Sequence, residues 1–196
     1  MNCKSFISSK NITFNGPLIL SPKIYEDNRG YFFESWNKNT LNDIIDQKID
    51  FVQDNQSKSS IGVLRGLHYQ LPPMNQDKLV RVTQGTIYDV IVDLRKGSNT
   101  FSQWGAIKLS EKNNKQIWLP TGFAHGFLTL SNYAIVEYKV TNFWSVNEEK
   151  SLLWNDKDIG IEWPNIGGKN IKYILSNKDN SATSLAQLNN SGELFQ

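Results

Sequence analysis

The chain contains two histidines, and both lie in glycine-flanked stretches. His68 is the fourth residue of RGLHY (65–69), and His125 is the fourth residue of GFAHGF (122–127). A catalytic metal centre commonly uses three imidazoles, or two imidazoles with a carboxylate, and HYQ (68–70) offers no ligand two residues after His68. This inventory disfavours metal catalysis, although two histidines and a distant glutamate could still meet. An isolated histidine is more often a hydrogen-bonded residue of a half-buried strand, so its context must decide its role.

Charged side chains occur in segments that are otherwise built for burial. Arg29, Arg65 and Lys78, together with the carboxylate of Glu34, stand beside aromatic or β-branched neighbours. Such a mixture suits the binding of a phosphorylated ligand whose rings stack on the protein. For any one of these residues alone, a solvated strand edge is the simpler explanation.

Two pairs of residues could share a site if the strand geometry allows it. Arg65 and His68 are three residues apart, so a regular strand would point them to opposite faces, and a bulge or kink at Gly66 would bring them together. Tyr138 and Trp144 are six residues apart and would share a face if extended structure continued between them. Tyr138 could then offer a phenolic proton and Trp144 a flat stacking surface. Core packing would also explain both aromatic residues.

The composition excludes several classes of function. The 196 residues carry 21 Lys plus Arg against 19 Asp plus Glu, a balance too even and too scattered for a sequence-blind nucleic-acid binder or a polybasic membrane anchor. The single cysteine, Cys3, rules out an intramolecular disulfide. No apolar run approaches the roughly 20 residues that cross a bilayer, and residues 1–10 do not resemble a secretory signal. We therefore expect one cytoplasmic domain over residues 1–196, with no nucleic-acid or membrane partner.

The elements that must position these residues are mostly short strands. β-like segments recur at intervals near ten residues, at 62–71, 79–83, 86–95, 106–109, 116–119, 126–130 and 134–140. Shorter pieces at 18–20 and 31–33 flank a turn at 27–30, and loops are expected at 155–158 and 164–169. A helix is expected to begin with a capping Thr40, because Leu41, Ile44, Ile45 and Ile49 follow at helical spacing. With a second short helix near 184–188, the pattern predicts a mainly β protein, an antiparallel jelly roll with a few short flanking helices.

The segment 87–94 indicates a strand with two different faces. Its even-numbered residues, from Tyr88 to Leu94, are all apolar, whereas its odd-numbered residues alternate between isoleucine and aspartate. The apolar face is expected to pack against the core, and the mixed face could border a ligand cavity.

Taken together, a series of short motifs resembles one enzyme family. The motifs are DNRGYFFE (27–34), QDNQS (53–57), GVLRGLHYQ (62–70), KLV (78–80), DVIVDLR (89–95), GFAHGF (122–127), WND (154–156) and IEWP (161–164). In this order they resemble the dTDP-4-dehydrorhamnose 3,5-epimerases, cupin-type enzymes of deoxysugar nucleotide synthesis. The resemblance extends from about residue 17 to residue 179.

The resemblance implies a reaction and a set of catalytic residues. The substrate would be dTDP-4-dehydro-6-deoxy-D-glucose, whose 4-keto group acidifies the hydrogens on C3 and C5, and the product would be dTDP-4-dehydro-L-rhamnose. His68 would be the general base, Asp179 the carboxylate that orients its imidazole, and Tyr138 the acid on the opposite face of the sugar. Lys78 would stabilise the enolate oxygen. The family needs no metal or redox cofactor, because an enolate forms and is reprotonated.

The resemblance also assigns contacts with the nucleotide, diphosphate or sugar. These residues are Arg29, Glu34, Gln53, Asn55, Arg65, His125, Trp144 and Glu149. Trp144 departs from the family pattern, which often has a tyrosine that stacks on the thymine ring at this position. Tryptophan keeps the stacking surface and removes the hydroxyl group. A homodimer is also implied, and the segment before Phe33 is expected to exchange between subunits, because jelly-roll edges are often covered across a two-fold axis.

Three alternatives remain open at the level of the sequence. The first is a monoepimerase that inverts only C3 or C5 of a related nucleotide-linked 4-keto sugar. The second is a non-catalytic cupin that binds a nucleotide sugar; it would need Arg29, Arg65 and Lys78 but not His68 or Tyr138. The third is a metal-dependent oxygenase of the same fold class, with His68 and His125 as ligands.

Overall fold

The computed structural model describes residues 1–166 and 172–196. Its elements, in chain order, are β1 (Asn2–Ile7), β2 (Thr13–Ser21), β3 (Tyr25–Asp27), β4 (Gly30–Phe32), α1 (Lys38–Ile45), β5 (Gln53–Ser60), β6 (Leu64–Gln70), β7 (Lys78–Gln84), β8 (Thr86–Asp93), β9 (Trp104–Ser110), β10 (Gln116–Leu119), β11 (Phe123–Thr129), β12 (Tyr133–Val140), β13 (Glu149–Ser151), α2 (Asn177–Asn180) and α3 (Leu185–Asn190).

Two antiparallel sheets form the body of the protein. One has six strands in the order β1-β2-β10-β7-β12-β5, and the other has five in the order β13-β6-β11-β8-β9. β3 and β4 form a separate hairpin. The predicted mainly β, antiparallel jelly roll with a few short flanking helices is therefore confirmed. Of the predicted loop 164–169, residues 167–169 lie outside the described residues.

The alternation of side chains along β8 explains how the two sheets pack. Ile87 and Ile91 are fully buried in the core cluster that also contains Val80, Ile117 and residues of β11 and β12. The opposite face of β8 packs into a second cluster with the C-terminal segment. Both faces of the strand are therefore buried. The mixed face is directed between the sheets and contributes to the core, and no β8 residue is among those that line the cavity described below.

A kink in β6 sets the direction of the side chains that lead into the site. His68 pairs with His125, but Arg65 pairs with Phe127, so three steps along β6 match two steps along β11. Gly66 lies inside this irregularity at φ +120°, and a Cβ there would come within 2.6 Å of the Gly126 Cα. Only glycine tolerates both conditions. The kink that a shared site for Arg65 and His68 requires is thus present at Gly66.

Helix α1 differs in its ends from the prediction. It begins at Lys38, because Asn37 is the N-cap and its side chain accepts a hydrogen bond from the Thr40 N–H. It ends at Ile45, where Asp46 adopts the left-handed conformation, so Ile49 lies beyond the helix and still packs against its apolar face. The C-terminal helix agrees with the expectation, since Ser184 caps α3. Among the described residues, no helix has the length and apolar content needed to span a membrane.

Candidate active site

A cavity of about 280 Å³ is lined by residues of both sheets. β5, β7 and β12 of the six-stranded sheet face β6, β11 and β13 of the five-stranded sheet across it, and two loop side chains complete the lining. The lining residues are Gln53, Asn55, Ser57, Arg65, His68, Tyr69, Gln70, Gln76, Lys78, His125, Gly126, Phe127, Tyr138, Trp144 and Glu149.

The geometry of β5 places a row of polar side chains in this cavity. Gln53, Asn55 and Ser57 are alternate residues of one strand, so they share a face. Asn55 pairs with Tyr138 on β12, which brings the phenol to the same wall. The Gln53 amide donates a hydrogen bond of 2.8 Å to the Asn55 Oδ1. This wall therefore combines amide groups with one phenol.

His68 and Asp179 form a close pair, although they are 111 residues apart in the chain. His68 Nε2 lies 2.6 Å from Asp179 Oδ1, and the Asp179 side chain is only 5% exposed. Burial opposes ionisation of Asp179, but hydrogen bonds from His68 and Ser176 and the charge of Lys178 hold its pKa below the usual value. The carboxylate therefore stays ionised and accepts the Nε2 proton. Because that nitrogen is occupied, Nδ1 is the one that can take a proton from a ligand.

Helix α2 supplies this carboxylate. Ser176 caps the helix by accepting a hydrogen bond from the Asp179 N–H, and its hydroxyl donates a hydrogen bond of 2.9 Å to Asp179 Oδ2. One carboxylate oxygen thus contacts Ser176 while the other contacts His68. The short helix fixes the carboxylate and, through it, the imidazole ring.

Lys78 presents a buried amine to the cavity. Its side chain leads from the first residue of β7, the residue is 8% exposed, and Nζ lies 3.5 Å from the His68 carbonyl. Burial lowers the pKa of Lys78 to about 8, while the negative charges of Glu149 and Asp89 act in the opposite direction. An ammonium held in such surroundings can stabilise an anion that forms beside it.

Tyr138 lies on the sheet opposite His68. Its pKa is raised because the phenol is buried and because Glu149 is negatively charged, and the charge of Arg65 offsets this only in part. The phenol therefore keeps its proton through the neutral range and into alkaline pH. The cavity thus holds a histidine on one wall and a phenolic acid on the other.

A second histidine–aspartate pair lies deeper in the same sheet. His125 Nε2 is 2.9 Å from Asp89 Oδ2, and Asp89 is fully buried. Across the strand pair, His125 stands directly opposite His68. Each histidine therefore contacts its own carboxylate. In the described part of the chain, no three His, Cys, Asp or Glu side chains are grouped so that they could hold a metal ion.

Charged and aromatic residues surround the mouth of the cavity. Arg65 Nε donates a hydrogen bond of 2.9 Å to Ser59 Oγ, and Glu149 forms an ion pair of 2.5 Å with Lys178. Trp144 is 56% exposed although it lines the cavity. An exposed ring at the edge of a polar cavity can stack on a planar ligand.

A protein-family model described as dTDP-4-dehydrorhamnose 3,5-epimerase matches residues 11–187. The chain belongs to this family. It is 56% identical to the dTDP-4-dehydrorhamnose 3,5-epimerase of Salmonella typhimurium over 147 residues, which cover 75% of this chain and 80% of that protein.

Two solved structures extend the comparison to the whole fold. The epimerase RmlC of Legionella pneumophila in complex with dTDP-4-keto-L-rhamnose has a TM-score of 0.88 at 39% identity, covering 100% of this chain and 98% of that one. The 3'-monoepimerase ChmJ of Streptomyces bikiniensis in complex with dTDP-quinovose has a TM-score of 0.86 at 30% identity, covering 92% and 89%. The chain thus shares its fold with double and single epimerases.

The structure brings together most of the side chains that the resemblance to the 3,5-epimerase family singled out. Those that line the cavity are His68, Tyr138, Lys78, Gln53, Asn55, Arg65, His125, Trp144 and Glu149, and Asp179 contacts His68. Arg29 and Glu34 are not among the lining residues. Arg29 lies in the β3–β4 turn and pairs with Asp27, and Glu34 accepts a hydrogen bond from Asn37.

Six lining residues were not predicted as site residues: Ser57, Tyr69, Gln70, Gln76, Gly126 and Phe127. Asp89, which contacts His125, was not predicted either. Ser57 and Gln70 lie inside motifs that carried the resemblance. The alternation of Gln53, Asn55 and Ser57 would have found Ser57 if residues 53–60 had been interpreted as a strand. Gln70, Gln76 and Asp89 act through contacts with distant residues, so local spacing carried no signal for them.

Proposed function

We propose that this protein is an epimerase that inverts C3 and C5 of dTDP-4-dehydro-6-deoxy-D-glucose and yields dTDP-4-dehydro-L-rhamnose. The observation that carries the proposal is the placement of the His68–Asp179 pair and Tyr138 on opposite walls of one cavity. Inversion of a carbon next to a ketone requires a base on one face and an acid on the other. The family membership agrees with this chemistry.

The reaction proceeds through an enolate at each carbon in turn. His68 Nδ1 removes the proton from C3 or C5, and the C–H electron pair moves into the ring while the 4-keto oxygen gains negative charge. The Lys78 ammonium stabilises that oxygen, and the Asp179 carboxylate stabilises the imidazolium. Tyr138 then gives its proton to the opposite face of the carbon, and the ketone forms again. Proton exchange with solvent restores both groups for the next turnover.

The remaining lining residues suit a nucleotide diphosphate. The exposed Trp144 ring provides a stacking surface for the base, Arg65 provides a cation for phosphate oxygens, and Gln53 and Asn55 provide amide donors and acceptors. We also propose a cytoplasmic location, since the single cysteine, Cys3, can form no intramolecular disulfide that would call for an oxidising compartment.

We further propose a homodimer in which Arg29 and Glu34 reach the partner's cavity. The β3–β4 hairpin that carries Arg29 exposes three large aromatic side chains, with Tyr25 55%, Tyr31 61% and Phe32 70% exposed. A second copy of the chain would cover them. Light scattering should give about twice the 22.4 kDa of the chain, and a stable particle of single-chain mass would refute the dimer.

A monoepimerase is the second candidate, because ChmJ shares the fold and because Trp144 replaces the tyrosine that the family often has at the base-stacking position. Proton NMR of the keto-sugar nucleotide in deuterated water separates the candidates. The double epimerase predicts loss of both the C3 and C5 proton signals, whereas a monoepimerase removes one. His68→Asn should lower the exchange rate at least about a hundredfold. Binding without any exchange by wild-type protein would instead indicate a non-catalytic nucleotide-sugar cupin.

A further inference from the structure

Three glutamine side chains hold the loop that presents Trp144. β12 ends at Val140, so the backbone groups after it cannot pair in the sheet and need other partners. Gln76 donates a hydrogen bond of 2.7 Å to the Asn142 carbonyl. Gln53 accepts one of 3.0 Å from the Trp144 N–H. Both glutamines line the cavity.

Gln70 is the central member of this group. Its amide nitrogen donates to the Phe143 carbonyl at 3.1 Å and to the Met74 carbonyl, and its amide oxygen accepts from the Ser145 N–H at 2.8 Å. The residue is only 4% exposed. One buried side chain therefore fixes the peptide groups on both sides of Trp144 and links them to the neighbouring loop.

The loop would not stay in this position through its own packing. Phe143, Trp144 and Val146 are 59%, 56% and 68% exposed, so the apolar side chains bury little area where they stand. Without the amide contacts, a loop of this composition would lower its free energy by turning its rings onto the nearest apolar surface. A ring that stacks on a base must instead be held open before the ligand arrives, because ordering it on binding would reduce affinity.

We propose that Gln70, assisted by Gln76, is a positioning residue that holds the Trp144 ring in place for the nucleotide base. This inference rests on the proposed function, since the base belongs to the dTDP portion of that substrate. Gln70 acts through Trp144 and not on the reacting carbons. Its loss should therefore weaken nucleotide binding while the chemical step at saturating substrate is retained.

The test compares Gln70→Met with the wild type in two ways. Hydrogen–deuterium exchange, followed by mass spectrometry of peptides spanning residues 141–147, reports whether the Trp144 and Ser145 amides lose protection. Titration with dTDP reports binding, and we expect its Kd and the KM of the keto-sugar nucleotide to rise about tenfold, with kcat changed by less than about twofold. Gln76→Met removes one half-buried contact and should raise the same Kd and KM by a smaller factor. This variant keeps the test valid if Gln70→Met does not fold.

Two further variants separate positioning from a general structural effect. Gln103→Met removes a hydrogen bond with Ser8 Oγ of 2.8 Å that lies away from the cavity, and it should leave both readouts unchanged. Trp144→Ala alone should weaken dTDP binding at least tenfold. The double variant Trp144→Ala, Gln70→Met should bind dTDP less than about twofold more weakly than Trp144→Ala alone. A full additional loss there would mean that Gln70 contacts the ligand directly and would overturn the proposal.

The remaining outcomes distinguish this proposal from the proposed function. An active wild type whose Gln70 and Gln76 variants keep full amide protection, or keep the wild-type Kd for dTDP, would overturn only the positioning role. A wild type that neither binds dTDP nor exchanges the C3 and C5 protons would overturn the proposed function, and the positioning role with it.

Discussion

The buried amine of Lys78 makes the alkaline part of the activity profile a test of its role. If the ammonium stabilises the enolate oxygen, kcat/KM must fall as Lys78 loses its proton. The lowered pKa of about 8 places this fall well below that of an ordinary lysine. With such a pKa, kcat/KM should drop about fifteenfold between pH 8 and pH 9.5, whereas an ordinary lysine would lose only about a tenth of its charge by then. Tyr138 does not compete as the cause, because its pKa is raised.

Initial rates of deuterium incorporation at C3 and C5 between pH 6.5 and 10 would measure this profile. The Lys78→Met variant should be slow at all pH values, and its kcat/KM should not fall near pH 8. The Lys78→Arg variant keeps a positive charge, so its kcat/KM should not fall near pH 8 either. Lys108→Met removes an exposed lysine of β9 and should retain the wild-type profile. Circular dichroism at each pH excludes unfolding as the cause. A fall near pH 8 that persists in Lys78→Met would refute the assignment.

The lowered pKa of Lys78 also makes the stability of the fold depend on pH. In the folded protein Lys78 titrates near pH 8, whereas in the unfolded chain it titrates near its usual value of about 10.4. Between these values the unfolded chain binds more protons, so the free energy of unfolding rises with pH. The wild type should gain up to about 3 kcal/mol across this window relative to Lys78→Met, measured by urea denaturation. An equal pH dependence in both proteins would contradict the burial of the amine.

Three other substitutions test the geometry of the site. Asp179→Asn should lower kcat on the order of a hundredfold with little change in KM, because the imidazole loses the carboxylate that fixes its tautomer; an unchanged kcat would remove Asp179 from the mechanism. Tyr138→Phe should slow inversion about a hundredfold or more, while His68 continues to exchange the proton with solvent with retention of configuration. NMR of the product distinguishes inversion from exchange with retention. Gly66→Ala should cost about 3 kcal/mol and lower Tm by roughly 6–12 °C, because its Cβ meets the Gly126 backbone; calorimetry showing an unchanged Tm would contradict the kink.

The architecture could be predicted from the sequence because the apolar alternation, the turn residues and the spacing of the β-like segments all indicated short antiparallel strands. The alternation along 87–94 and the spacing of the turn residues are local features of the sequence, and the strands of the structure follow them. Four strands, β1, β3, β5 and β13, were not predicted, because their sequences are mostly polar and carry little apolar alternation. β5, for example, is held mainly by its ladder with β12, which is a non-local contact.

The candidate site shows the same division between local and distant information. The sequence showed that Arg65 and His68 could share a site only through a bulge or kink, which Gly66 makes feasible, and this follows from the four residues 65–68 alone. The Asp179 partner of His68 could be assigned only through a family resemblance, since 111 residues separate the two. The contacts of the three glutamines with the Trp144 loop gave no signal, although Gln53 was assigned to the site by resemblance, because each acts on a backbone group of a loop that sequence spacing does not locate.

The two histidine–aspartate pairs lie side by side, yet their surroundings divide their roles. His68 and His125 face each other across β6 and β11, and each directs Nε2 at a carboxylate. The His68 side chain is 30% exposed and the His125 side chain is 10% exposed, above an Asp89 that is fully buried. A base must receive a proton from the ligand and return it to solvent in every cycle, which favours the more open ring. A buried pair is better suited to a fixed hydrogen bond, since a new charge there would be costly to desolvate. We therefore propose that the His68 pair moves protons and that the His125 pair makes a fixed hydrogen bond to the substrate.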